Sequence, residues 1–272
     1  MNRRLGTFAF GALSCFFLLT SGGCGSPDAR FVSNRPYLQN VRLNNPSELS
    51  SEEQQRQEQQ IADVLASLFG TPDDPQIPRL PEIDLTTILD PSKLRLAAGP
   101  VRSDYSENAS EASLGLYREH CVHCHGITGD GRGPTAAFLN PYPRDYRRGT
   151  YKFKSTPKGV PPAAHDLETI IRNGAAGTAM PSFKLLDEVE IQALTQYVIY
   201  LSIRGQVERA LISQLTEVDT IIDPSLKSSD PETYQAQREA VLEIVSSVAQ
   251  SWIEANGMAS VPPPIPAPPE DA

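Results

Sequence analysis

Residues 119–126, EHCVHCHG, hold two of the four cysteines and three of the four histidines of this 272-residue chain. Thiols and imidazoles at such short spacing are typical of three kinds of site: a structural metal site, a redox dithiol or a covalent haem attachment site. The rest of the sequence distinguishes them, because each kind needs different partner residues and a different compartment.

The order Cys121-x-x-Cys124-His125 favours haem attachment. Two thiols at this spacing add across the two vinyl groups of haem, while the histidine that follows turns back to bind the iron. With four cysteines and four histidines, chance would produce the pattern in roughly one chain in a thousand. Haem is attached in this way outside the cytoplasm, so the interpretation requires an exported chain.

The first 23 residues are typical of a signal peptide. Arg3 and Arg4 precede an apolar run at 8–19 that is too short to span a membrane, and the small residues TSGGC follow it. Gly23-Cys24 resembles a bacterial lipobox, which predicts a lipoprotein-type signal over 1–23 and a lipid anchor on Cys24. The alternative is an ordinary signal peptide. We expect an exported protein that is anchored to the membrane and faces the periplasm.

The cysteine count bears on the metal and dithiol alternatives. Processing would leave Cys121 and Cys124 as the only thiols besides Cys24, so no disulfide framework is expected. A zinc site would need these two thiols, His125 and a fourth ligand. That ligand would be one of His120, His123 or His165. A thioredoxin-like dithiol would follow a strand, whereas here a helix is predicted before the motif and loops after it.

Charge is distributed unevenly in a chain whose net charge is −9. A basic middle, 113–204, lies between two acidic parts, 24–112 and 205–272. The acidic balance and the lack of a nucleic-acid-binding motif argue against a nucleic-acid partner.

Apolar periodicity, capping residues and prolines predict a helical chain with long loops. Six helices are expected, at 51–69, 113–120, 166–173, 187–203, 205–222 and 231–256. Residues 25–50 are expected to be irregular. The proline-rich stretch 71–85 is expected to be extended, as a spacer that lifts the body from the membrane, and 126–164 to form loops.

Residues 113–204, about a third of the chain, resemble the class I c-type cytochromes. Members of that family run as a helix, the CxxCH motif, a glycine-rich loop that ends in Gly-Pro, a loop with a methionine ligand and a closing helix. This chain supplies SLGLYREHCVHCHG, GDGRGP, GTAMPSF and DEVEIQALTQYVIYLSIRG in that order.

The resemblance implies an all-α fold, with short helices around one covalently bound haem c at 113–204. An extension at 24–112, with one helix and the spacer, would precede this domain. An acidic helical extension at 205–260 and a proline-rich tail at 261–272 without structure would follow it. Tyr117 and either Tyr197 or Tyr200 would lie where the first and last helices of the domain cross.

Carried over to this chain, the family pattern assigns a role to each residue of the motif. Cys121 and Cys124 would form the thioether links, and His125 would be the proximal iron ligand. The carbonyl of Pro134 would accept a hydrogen bond from the other ring N–H of His125. This bond would orient the ring and raise its basicity.

The predicted sixth ligand of the iron is Met180. The mature chain has one other methionine, Met258, which lies beside the proline-rich tail, whereas Met180 lies in a glycine-rich loop and precedes Pro181. A methionine followed by proline in such a loop is the sixth ligand in the family. The alternative is His165, which would lower the reduction potential relative to a Met/His pair.

A basic segment, residues 144–158, carries six basic residues and one acid. Arg144, Lys152 or Lys154 would hold the haem propionates through charge-assisted hydrogen bonds. Alternatively, the segment would dock an acidic redox partner, pair with the acidic helices of the same chain, or remain solvated.

The resemblance implies single-electron transfer rather than enzymatic catalysis. We expect a membrane-anchored mono-haem carrier between a dehydrogenase or quinol-oxidising complex and a terminal oxidase. Three alternatives stay open: a haem subunit of a larger respiratory complex, a haem enzyme or sensor with an open sixth position, and a haem-free zinc module.

Overall fold

A computed structural model describes residues 29–46, 49–100, 115–218 and 220–258. These ranges contain helices and loops but no strand, as the all-α prediction requires. The helices are α1 (Arg35–Asn44), α2 (Ser51–Phe69), α3 (Pro91–Ala97), α4 (Leu116–His120), α5 (Val122–His125), α6 (Ala164–Asn173), α7 (Glu188–Gln214), α8 (Leu226–Ser229) and α9 (Pro231–Gly257). In the described ranges, no helix is sufficiently long and apolar to cross a lipid bilayer.

Helix α7 is the centre of the fold. Buried side chains lie all around it, which is typical of a helix surrounded by other elements. Helices α1, α2, α3, α4, α6 and α9 pack against it. The separate helices predicted at 187–203 and 205–222 were wrong, because α7 runs without a break from 188 to 214 and passes through the predicted domain boundary at 204/205.

Gly205 lies inside this long helix because a loop packs directly against the helix at this position. A Cβ at this position would overlap the Cα and the side chain of Arg147, so glycine allows the loop to lie directly on the helix. Gly205 is therefore a packing position and not the end of a helix.

The proline-rich stretch at 71–85 is not a free spacer. Tyr200 donates a hydrogen bond from its hydroxyl to the carbonyl of Phe69, and Tyr197 donates to the carbonyl of Pro72 at 3.4 Å. Leu85 and Leu89 are buried in the core shared with α7. Prolines prevent a helix here, but the segment still buries apolar side chains and supplies the acceptor for buried Tyr197, while the last residue of α2 supplies the acceptor for buried Tyr200.

The ends of the predicted helices have mixed outcomes. Helix α2 was predicted correctly: Ser50 and Glu53 form a reciprocal cap, and Gly70, at φ +69°, ends the helix. The prediction that 25–50 is irregular was wrong for 35–44, where Pro36 starts α1. Asp166 was predicted to cap α6, but it lies inside the first turn and accepts from the backbone N–H of Ala163 at 3.0 Å.

The acidic C-terminal extension is part of the same core. Helix α9 buries Val245, Ala249 and Trp252 and packs against α7. These side chains belong to one hydrophobic cluster together with residues of α1, α2, α3, α4, α6 and α7. Burial of this much apolar surface fixes α9 to the body.

Candidate haem site

Helix α4 directly precedes the cysteine motif and packs against the core. Leu116 and Tyr117 are buried, and the rings of Tyr117 and Tyr197 lie 5.0 Å apart where α4 meets α7, as the predicted helix crossing requires. The hydroxyl of Tyr117 donates to the carbonyl of Gly126 at 2.9 Å. This hydrogen bond holds both ends of the motif close to α7.

The two thiols of the motif are free. Cys121 is packed against the core, and burial raises the pKa of its thiol to about 12. The sulfur of Cys124 lies 3.3 Å from the hydroxyl of Thr135. Because Thr135 uses its own proton to bond the carbonyl of His123 at 2.8 Å, Cys124 is the donor to Thr135. Neither sulfur is bonded to another cysteine of the described residues.

His125 has a defined tautomer. Its Nδ1 lies 3.3 Å from the carbonyl oxygen of Arg144, and a carbonyl can only accept, so Nδ1 carries the proton and Nε2 keeps a free lone pair. Burial lowers the pKa of the ring to about 4, although the bond to Arg144 acts in the opposite direction. The ring is therefore neutral at neutral pH and can bind a metal ion through Nε2.

The carbonyl that accepts the hydrogen bond from His125 is not the one that the family pattern implied. Pro134, which the family pattern implied, is exposed, and the acceptor is Arg144. The loop after the motif folds back onto α5: the N–H of Gly131 donates to the carbonyl of His125, and Pro143 packs over Gly131. This return brings the segment at 143–144, rather than the Gly-Pro turn, to the edge of the imidazole.

Two glycines make this return possible. A Cβ on Gly133 would clash with the carbonyl oxygens of Val122 and His123. Gly129 has φ +71°, and a Cβ there would lie 2.7 Å from the ring of Tyr146. Both glycines therefore allow close contacts between parts of the protein.

Tyr146 forms one wall of the site. Its ring stacks on the imidazole of His125, with 4.6 Å between centroids and 21° between planes. Nothing in the sequence signals this contact, because the aromatic residues of 138–153 are equally compatible with exposure. Phe138 is in fact 87% exposed, whereas Tyr146 is 6% exposed.

Met180 lies in a closed loop beside the motif. The carbonyl of Met180 accepts from Ala175 N–H at 3.3 Å, and its own N–H donates to Thr178 at 3.1 Å. Its side chain packs against the same hydrophobic cluster as Cys121. Phe183, three residues later, lies 5.8 Å from the ring of His120, so the methionine loop and the motif are in contact.

His165, the alternative sixth ligand, lies at the start of α6. It is half exposed, and its Nε2 lies 3.2 Å from the hydroxyl of Ser155 and 3.4 Å from a carboxylate oxygen of Asp166. Local partners therefore occupy this histidine. In the ranges that the structure describes, no three His, Cys, Asp or Glu side chains form a group that could hold a metal ion.

Residues 109–198 match the family model described as cytochrome c oxidase, cbb3-type, subunit III. The chain carries a c-type cytochrome domain. A solved chain of the reducing HAO-like protein complex of Kuenenia stuttgartiensis is 30% identical, with a TM-score of 0.30. That match covers 31% of this chain and 38% of the Kuenenia chain, so it spans well under half of the solved chain. A search of curated proteins gave no match.

The residues of the cytochrome domain fit haem c. Two free thiols at the CxxCH spacing are the groups that form its thioether bonds, and imidazole and thioether are ligands of haem iron in c-type cytochromes. The neutral His125 ring leaves Nε2 available, and the carbonyl of Arg144 holds the other nitrogen, as is usual for a metal-bound histidine.

The basic segment of the cytochrome domain is not uniformly available to a partner or a propionate. Arg147 is buried and paired with Asp145 at 2.9 Å. Lys154 donates to backbone carbonyls, among them that of Val160 at 2.6 Å. Of the three residues predicted to hold propionates, only Arg144 and Lys152 remain exposed.

Proposed function

We propose that the chain is a mono-haem c-type cytochrome that transfers single electrons. Haem c would be linked to Cys121 and Cys124, with the iron held by His125 and Met180. The hydrogen bond between His125 Nδ1 and the carbonyl of Arg144 carries the proposal, because it leaves Nε2 as the free donor atom. When bound, the haem supplies the one-electron change between ferrous and ferric iron.

Each residue of the site has a defined task in this proposal. Arg144 raises the basicity of His125 through its carbonyl, and Tyr146 sets the plane of the ring. The thioether of Met180 raises the reduction potential relative to a second imidazole. The closed loops at 126–133 and 174–183 hold both ligands in place, so the change of oxidation state requires little rearrangement.

The proposed ligands favour electron transfer over catalysis. If His125 and Met180 both held the iron, no position on it would be open to a substrate. A haem enzyme or sensor would require Met180 to be displaced. Rapid binding of carbon monoxide by the ferrous protein would support that alternative, and slow or absent binding would support the carrier.

The proposed anchor places the body close to the membrane. The N–H of Ala29 donates to Asp73 at 2.7 Å, and that of Val32 donates to Thr128 at 2.9 Å, so the chain already lies on the body five residues after Cys24. Five residues span at most about 18 Å. We infer that an exported, lipid-anchored protein would hold its cytochrome domain near the periplasmic membrane surface.

The proposed partners are a dehydrogenase or quinol-oxidising complex as donor and a terminal oxidase as acceptor. A permanent place in a larger complex is the second candidate, because the matching family model is named for an oxidase subunit. Affinity purification from solubilised membranes separates the two candidates. Partner subunits in stoichiometric amounts would support the complex, and the isolated chain would support the free carrier.

The proposal is tested by covalent retention of haem. The protein is produced with haem-maturation machinery and purified in denaturant, beside a Cys121→Ser/Cys124→Ser variant. The parent should keep its haem and the variant should not. A matched Cys24→Ser variant should keep haem but leave the membrane fraction. Haem lost from the parent in denaturant would contradict the c-type site, and Cys24→Ser protein that stays in the membrane fraction would contradict the anchor.

A further inference from the structure

A row of aromatic rings links the cytochrome domain to the C-terminal extension. The ring of His125 stacks on Tyr146 at 4.6 Å, and Tyr146 stacks on Tyr151 with 6.1 Å between centroids and 15° between planes. Tyr151 in turn meets the edge of Trp252 at 6.4 Å and 87°. Trp252 belongs to α9 and lies outside the region that matches the cytochrome family model.

A second connection runs from Trp252 to the same loop. Its indole Nε1–H donates to Gln206 Oε1 at 2.7 Å. The amide of Gln206 lies against Gly149, where a Cβ would clash with it. Gly149 ends the short 3-10 helix Tyr146–Arg148, which begins two residues after Arg144. Trp252 is therefore connected to the loop in two ways: its ring contacts Tyr151, and its indole N–H donates to Gln206.

The intermediate residues are fixed. The hydroxyl of Ser202 donates to the carbonyl of Val198 at 2.7 Å, so the hydroxyl of Tyr151 is the donor in its 2.6 Å bond to Ser202. Trp252 is 1% exposed, and its one polar atom is satisfied by Gln206. Close-packed groups with satisfied polar atoms transmit a displacement rather than absorb it.

We propose that Trp252 is a positioning residue for His125. It holds Tyr151 and Gln206, these hold the loop at 144–151, and the loop sets the plane of the imidazole through Tyr146 and the Nδ1 hydrogen bond through the Arg144 carbonyl. The acidic C-terminal extension is thus a structural part of the proximal haem site. This inference rests on the proposed function, in which His125 binds haem iron.

The hydrogen bond between His125 Nδ1 and the Arg144 carbonyl is the contact that a movement of the loop breaks most easily. At 3.3 Å it is at the long end of the hydrogen-bond range, so a small retreat of the loop breaks it. Without it the imidazole is a weaker donor to iron, which stabilises ferric iron less and raises the reduction potential. Loss of the Tyr146 stack would also let the imidazole turn out of its present plane.

The test compares four variants of the full-length holoprotein. Trp252→Leu removes the ring and the indole N–H, Trp252→Phe keeps a ring, and Gln206→Leu removes the hydrogen-bond acceptor alone. Val245→Ala is the control, because it opens a cavity two turns earlier in α9 and Val245 is not a member of the ring row. Reduction potentials are measured by redox titration, and the g values of the ferric form by electron paramagnetic resonance, because these report the orientation of the ligand plane.

Trp252→Leu should shift the ferrous/ferric equilibrium by up to about tenfold toward the ferrous form, which is about 59 mV for one electron. Its g values should move, with smaller changes in Trp252→Phe and Gln206→Leu and none in Val245→Ala. If Trp252→Leu does not fold, the potentials and g values of Trp252→Phe and Gln206→Leu test the inference.

The outcomes separate this inference from the proposed function. A parent protein with covalent haem and two axial ligands, together with Trp252 and Gln206 variants that match Val245→Ala in potential and g values, would overturn the inference alone. A parent protein without covalent haem would overturn the proposed function itself.

Discussion

The imidazole of His125 lies almost parallel to the ring of Tyr146, at 4.6 Å. The 3-10 helix that carries Tyr146 follows Arg144, whose carbonyl accepts the Nδ1 proton of the same imidazole. One loop therefore fixes both the tilt and the tautomer of the histidine. Helix α5 is only four residues long and could not orient this side chain by itself.

Replacement of Tyr146 should therefore test the loop as well as the site. Tyr146→Ala leaves a cavity beside His125 and should lower the free energy of unfolding by about 3–5 kcal/mol. Tyr146→Phe keeps the stacked ring and should cost less than about 1.5 kcal/mol. Urea denaturation of both variants gives the difference. Equal losses would mean that the hydroxyl, not the stack, stabilises the loop.

Gly205 should respond to alanine in the direction opposite to an ordinary helical glycine. Alanine inside a helix is usually favoured over glycine by about 1 kcal/mol. At 205 the added Cβ overlaps Arg147, so Gly205→Ala should instead destabilise the protein by about 1–3 kcal/mol. Gly257→Ala, at the end of α9 in open space, is the matched control and should be neutral or stabilising. Thermal unfolding of both variants shows whether each substitution stabilises or destabilises the protein.

Acid should weaken the start of α9. Hydrogen bonds from Thr233 hold the pKa of Asp230 below its ordinary value of 3.8. A depressed carboxyl pKa contributes stability that is present above the ordinary value and is lost as the pH falls through the lower, folded value. Asp230→Asn can still cap the helix but does not titrate.

The unfolding temperature of Asp230→Asn should therefore fall less between pH 6 and pH 2 than that of the parent. Glu243→Gln, in the middle of α9, is the control and should follow the parent. A parallel decline in all three proteins would show that the Asp230 cap does not contribute to the acid sensitivity.

The sequence predicted local features well. The cap at Ser50 and the end at Gly70 follow from residue types that act within one turn, and the CxxCH motif and its helix follow from spacing. The methionine loop was placed by its glycines and by Pro181. These features depend on neighbours in the chain, which a single sequence displays.

Long-range packing was not predictable from the sequence. Two helices were predicted where α7 is continuous, and Gly205 between them contacts Arg147, 58 residues earlier in the chain. The prolines at 72–81 suggested a free spacer, but the carbonyl of Pro72 accepts a hydrogen bond from the buried Tyr197 of α7. The carbonyl that orients His125 depends on how a loop folds back, and its identity as Arg144 has no signature in residue type.

The pairing of His125 with Met180 is the central claim, and the near-infrared spectrum of the ferric holoprotein tests it most directly. The parent should show the methionine–iron charge-transfer band, Met180→Ala should lose it, and Met258→Ala, whose methionine is 39% exposed at the end of α9, should keep it. A band that persists in Met180→Ala, or that is absent from the parent while the haem is retained, would contradict the account.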